Sequence, residues 1–161
     1  MQRIGRMVWV SLAIAACGEG EETAQHTPRQ AAVAERGTAV MPFDLEATTH
    51  VFEKTEYGGL QQVVVDTGDP QQVALVREHL KHEAERFSSG DFHDPAMIHG
   101  DDMAGLNELA EGHADLVIEF SELAQGAELR YSSDDPDLVA ALHAWFDAQV
   151  SDHGRHARTS R

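Results

Sequence analysis

"HVFEKTEYGGLQQVVVDTGDPQQVALVREHL" (50–80) and "LVIEFSELAQGAELRYSSDDPDLVAALHAWF" (116–146) write one pattern twice, 66 residues apart and without a gap. Identities are few: Val51/Val117, Glu53/Glu119, Glu56/Glu122, Asp69/Asp135, Pro70/Pro136, Val73/Val139 and Ala74/Ala140. The shared apolar rhythm extends further than the identities, which marks an internal repeat. Each copy predicts strand, turn, strand, helix. In the second copy Leu116, Ile118 and Phe120 alternate with Val117, Glu119 and Ser121, the period of a sheet with one buried face. "YGGL" and "AQGA" supply the turns. Asp69-Pro70 and Asp135-Pro136 each set a capping aspartate before a proline at the first helical position.

The helices that follow carry apolar stripes, Val73, Val76, Leu80, Ala84 and Phe87 before Gly90, and Val139, Leu142, Phe146 and Val150 before Gly154. Such stripes need a sheet face to cover. The expected fold is α+β: two ββα units, at about 48–90 and 114–154, forming a four-stranded antiparallel sheet with two long helices on one face. A short helix from about Asp102 to His113, carrying Met103, Leu106 and Leu109, connects them. With 161 residues, the chain suits one domain, placed at 41–154.

Ahead of that domain, Arg3 and Arg6 precede an apolar run from Met7 to Ala16, shorter than the roughly 20 residues of a membrane-spanning helix. It reads as an export signal. The run ends Ile14-Ala15-Ala16-Cys17, which resembles the lipobox of bacterial lipoproteins, so segment 1–17 implies export to the periplasm or cell envelope and a membrane anchor through lipid on Cys17. Gly18 after the cysteine weakly disfavours retention at the inner membrane. Residues 18–40 lack periodic apolar positions and read as a flexible acidic tether, with His26 as a solvated residue within it; 155–161 read as a disordered basic tail.

Removing Arg3 and Arg6 from the 12 basic residues leaves 10 against 28 acidic ones, a net charge near −18. That surface repels phosphate backbones and anionic headgroups, so no nucleic-acid partner is expected. Cys17 is the single cysteine, so no intramolecular disulfide forms, and a soft metal falls to histidine and methionine. No phosphate-cradling glycine loop or "GxSxG" elbow appears, and "HLKHE" (79–83) has the wrong order for either zinc-protease motif. Nothing in these motifs identifies an enzyme, and whether the chain is one stays open at this point.

The repeat places histidines. His50 takes the slot of Leu116 and so should face the helices. At about 100° per residue, His143 falls near the apolar stripe of its helix, His79 lies at the edge of the first stripe, His153 takes the slot of Phe87, and His82 points away. Between the units, "DFHDPAMIHGDDMAGL" (91–106) reads as a loop with His93, Met97, His99 and Met103 spaced by four, two and four. Thioether and imidazole together suit copper. Each histidine is alternatively a hydrogen-bonded core group, and the methionines alternatively fill core gaps.

"MPFDLEATTHVFEKT" (41–55), "GDFHDPAMIHGDDMAGL" (90–106) and "ALHAWFDAQVSDHG" (141–154) resemble stretches of a family of small bacterial proteins commonly labelled aspartate carbamoyltransferase, a likeness running from Met41 to about His156. The resemblance implies one domain, with His50, His79, His99, Met103, His143 and His153 as recurring positions; His93 and Met97 fall outside the pattern. The chain has no "SxRTR" carbamoyl-phosphate loop, so the label implies no carbamoyl transfer, and a small transferase is the least favoured reading. The favoured expectation is an exported, lipid-anchored protein that binds copper before zinc, with His99 and Met103 as loop ligands, His50 and His143 completing the site and His79 beside it. Haem is less favoured without a "CxxCH" motif. The alternative is a non-catalytic envelope module, meeting a protein partner, with structural histidines.

Overall fold

The computed structural model describes residues 26–160; the expected signal segment 1–17 with Cys17, and residues 18–25 of the expected tether, lie outside the described residues. The remainder of that segment is not a tether. Helix α1 runs Pro28–Val40. Thr27 and Gln30 form a reciprocal capping box and Pro28 occupies the first turn, a start signal present in "TPRQ" without the apolar periodicity that usually accompanies it. The helix is held by contacts made far along the chain: Val33 is buried, and the Arg36 guanidinium donates to the Ile98 carbonyl.

The repeat units follow as strands β1 (Thr48–Thr55) and β2 (Gly58–Val65) with helix α2 (Pro70–Ser88), then β3 (Val117–Leu123) and β4 (Gly126–Ser132) with helix α5 (Pro136–His153). Asp69 caps the amides of Gln71 and Gln72, and Asp135 that of Asp137. Between the units lie α3 (His93–His99) and α4 (Leu106–Glu111). The stretch read as a loop is thus partly helical: Asp91 accepts from the His93 amide, Pro95 sits within the first turn where its missing N–H costs nothing, and Gly100 ends the helix at φ 101°. The expected connecting helix is shorter than 102–113, beginning only after Gly105.

The sheet is mixed and five-stranded, in the order β3-β4-β2-β1-β5. The four expected strands pair antiparallel. The fifth, β5 (Ala157–Thr159), lies parallel to β1 in the segment expected to be a disordered tail. Three residues carry too little pattern to announce a strand, but the open edge of β1 offers backbone groups, and the Ser160 amide donates to the Phe52 carbonyl at 2.8 Å.

The repeat also has a slip. The helix starts Pro70 and Pro136 are 66 residues apart, but the hairpins place Thr55-Gly58 opposite Leu123-Gly126, an offset of 68. The β2–β4 register has the matching symmetry, Gly58 with Ser132 and Val64 with Gly126. Two residues are absorbed between β2 and α2. Because the slip is even, side chains keep their faces: His50, Phe52, Val63 and Val65 face the helices with Leu129 and Tyr131, and all are buried. Helix α2 lies over β3 and β4, α5 over β1, β2 and β5, and α1 packs beside α3 and α5. Among the described residues no helix is long and apolar enough to cross a membrane.

Candidate metal centre

Beneath the β1–β2 half of the sheet is a cavity of about 40 Å³, walled by His50, His79, His99 and His153 together with Met41, Glu83, Trp145 and Gln149. The four imidazoles come from β1, α2, α3 and α5, so tertiary packing and not local spacing unites them. His50 stacks on His153 with ring centroids 4.8 Å apart, and His99 meets His153 edge-on at 5.0 Å. His79 packs edge-on against Phe43 at 5.6 Å.

The hydrogen bonds fix which nitrogens are free. His99 Nδ1 lies 2.9 Å from Asp152 Oδ2. Burial pushes the Asp152 carboxyl up, but hydrogen bonds from Arg29 and His99 outweigh it and hold the group below its ordinary pKa. Arg29 reaches both carboxylate oxygens, one of them at 2.7 Å from its Nη2. An ionised carboxylate only accepts, so His99 Nδ1 carries the hydrogen and Nε2 keeps its lone pair. His153 Nε2 lies 3.1 Å from Gln149 Oε1, an acceptor, which leaves its Nδ1 free. Among the described residues His50 Nδ1 has no partner despite burial, and neither has the indole N–H of Trp145. A buried carboxylate that accepts from the far ring nitrogen is the usual outer partner of a metal-ligating histidine.

Burial keeps the cluster neutral. It brings His50 down to about 4 and His79 to about 4, and lowers His99 and His153 as well. Glu83 shifts the opposite way, to about 8, through burial first and the neighbouring Asp94 carboxylate second, with Arg86 opposing at 3.3 Å. At neutral pH the cavity therefore presents imidazole lone pairs, a mostly protonated carboxyl and a thioether.

The structure divides the expected ligand set. His50, His79 and His99 meet at the cavity. His143 does not: its Nε2 donates to the Gly58 carbonyl at 2.9 Å, tying α5 to the first hairpin. Met103 is 4 % exposed within the hydrophobic core and does not line the cavity. His93, Met97 and His82 are solvent-exposed. Met41, Glu83, Gln149, Asp152 and Arg29 went unpredicted. Glu83 had a signal, since Val76, Leu80, Glu83 and Phe87 share one stripe and all are buried; a carboxyl on an apolar stripe marks a perturbed group.

A second constellation lies outside this cavity. His26, Glu46 and His156 present ligand atoms all within 4.8 Å of one another, and no other three His, Cys, Asp or Glu residues do so among the described residues. His26 is partly buried and stacks on His156 at 5.7 Å, so it is not a freely solvated spacer residue. The chain has no match among protein-family models, curated proteins or solved structures, and the functional reading rests on these side chains.

Proposed function

We propose that this chain is an exported, lipid-anchored protein that binds a transition metal, copper before zinc, for storage, delivery or sensing. The observation that carries the reading is the cavity: His50, His99 and His153 each keep one uncommitted ring nitrogen there, and His99 is oriented by an ionised, buried Asp152. Neutral imidazole is the ligating form. Met41, which also lines the cavity, offers the soft sulfur that Met103 does not, and a thioether beside imidazoles favours copper. The three nitrogens lie further apart than one ion requires, so side-chain rotation accompanies binding. The anchor on Cys17 and envelope location belong to the same proposal.

Copper content and thermal stability of the tag-free chain, beside a His50→Ala/His99→Ala variant, test it. The variant should bind about one copper fewer. Saturating metal should raise the stability of the parent chain by about 2.7 kcal/mol at a hundredfold excess over Kd. A parent chain that gains neither metal nor stability from copper or zinc refutes the reading. In that case the envelope interaction module becomes the better account, favoured by β3: among the described residues no strand pairs with its outer edge, where Val117 is 58 % exposed.

A further inference from the structure

His26, Glu46 and His156 come from three distant places: the residue before the α1 cap, the turn at Leu45–Ala47, and the turn at Gly154–His156. Each is fixed locally. Thr27 closes the capping box, Asp44 accepts from the Glu46 amide, and β5 continues directly from His156. Two neutral-type donors and one carboxylate within 4.8 Å form the composition and spacing of a divalent-metal site.

A second observation points the same way. A cation already sits on these acceptors: Arg155 donates from Nη2 to Glu46 Oε2 at 2.6 Å and from Nε to His156 Nε2 at 2.9 Å. The His156 Nε2 lone pair therefore points at the guanidinium, the position an ion replacing it would take. The guanidinium is half-exposed and on a flexible stem, so it can swing into solvent when an ion takes its place.

The third observation is continuity. A narrow cavity of about 20 Å³ is lined both by His26, Glu46 and His156 and by the buried His50, Asp152 and His153. Surface and interior histidines thus run in series, His26 and His156 to His50 and His153, then to His99.

We propose that His26, Glu46 and His156 form a second metal site, a surface loading site for a divalent transition ion, held ready by the Arg155 guanidinium and passing its ion inward to the buried histidines. The site itself stands on its own ligands; the inward transfer rests on the buried metal centre proposed above.

The test uses the full, tag-free chain carrying W9F, which leaves Trp145 as its one indole, and Cu²⁺ alone, with copper stoichiometry and the rate of copper quenching of Trp145, which lines the buried cavity, as readouts. The parent should bind about two ions, and E46Q/H156Q about one, with Trp145 quenched about tenfold more slowly because the local supply of ion is lost. H99A/H153A should keep the surface ion and lose the quenching. R155A, which leaves all three ligands in place, should bind the surface ion more tightly. Undiminished stoichiometry in E46Q/H156Q, together with unaltered affinity in R155A, overturns the site. Loss of one ion with an unchanged quenching rate keeps the site and overturns the transfer. A parent that binds one ion, does not quench, and loses that ion in E46Q/H156Q supports the surface site while refuting the buried centre.

Discussion

Replacing Glu83 with Gln should stabilise the metal-free chain at pH 8 and leave it nearly unchanged at pH 4.5. Glu83 is 5 % exposed, and burial raises its carboxyl from 4.5 to about 8. Between those values the folded chain holds a proton that the unfolded chain has released. Stability therefore falls as pH rises through this window, by about 1.4 kcal/mol per pH unit from this group. Histidines oppose it lower down. His50, held near 4, binds its proton more readily when unfolded, so its contribution to stability is full above pH 6.5 and is lost as pH falls toward 4. His79, His99 and His153 act in the same direction. The imidazoles go on titrating in the unfolded chain to about pH 7.5, but they do so alike in the parent and in E83Q and cancel when the two are compared. From pH 6.5 to 8 the parent should lose about 2 kcal/mol relative to E83Q, which resembles the protonated carboxyl. Urea unfolding of both chains in chelator at the two pH values measures the difference. A parent–E83Q difference that stays constant over that window would refute the reasoning.

Asp152→Asn removes the charge that orients His99 and anchors Arg29. Copper affinity should drop by about 10–100-fold, read by competition titration, whereas the fold survives because the Arg29 side chain is 56 % exposed and regains water. His143→Ala should leave copper binding unchanged and cost about 1 kcal/mol in urea unfolding, the worth of its bond to the Gly58 carbonyl; loss of copper would return His143 to the ligand set. Gly126→Ala would place a methyl 1.9 Å from the Val63 carbonyl oxygen, across the β2–β4 pairing that joins the two units. It should cost more than about 2 kcal/mol, and a thermal midpoint equal to the parent's would show that the central register can spread without penalty.

The architecture was legible where apolar period and capping chemistry agreed. Asp69-Pro70 and Asp135-Pro136 begin α2 and α5 as read, and the alternation of Ile118 and Phe120 with Glu119 and Ser121 marks a strand with one covered face. The placement of His50 survived an alignment two residues out of step because strand faces repeat every second residue. An odd slip would have turned His50 to the solvent. Helix α1 and strand β5 went unread for the opposite reason: Val33 and Ala157 are nearly their whole buried apolar complement, so no pattern in either segment betrays them. Their ordering comes from partners elsewhere, namely Asp152 and the Ile98 carbonyl for α1, and the free edge of β1 for β5.

The same asymmetry explains why the site was half visible. Histidines announce themselves by type, so the ring of candidates contained His50, His79 and His99, but what turns a histidine into a ligand is the group that fixes its other nitrogen. Those groups are ordinary residues with no local signature: Asp152 and Gln149 on α5, and Arg29 on a helix that the sequence did not reveal. His143 and His153 illustrate the distinction on one helix. Both lie close to the apolar face of α5, yet ten residues of helix at about 1.5 Å each separate them by about 15 Å, so a single site could never take both. The helix geometry already forbade pairing His143 with His50 once His153 stacked on that ring, and that exclusion transfers the missing ligand from the middle of α5 to its end, beside Asp152.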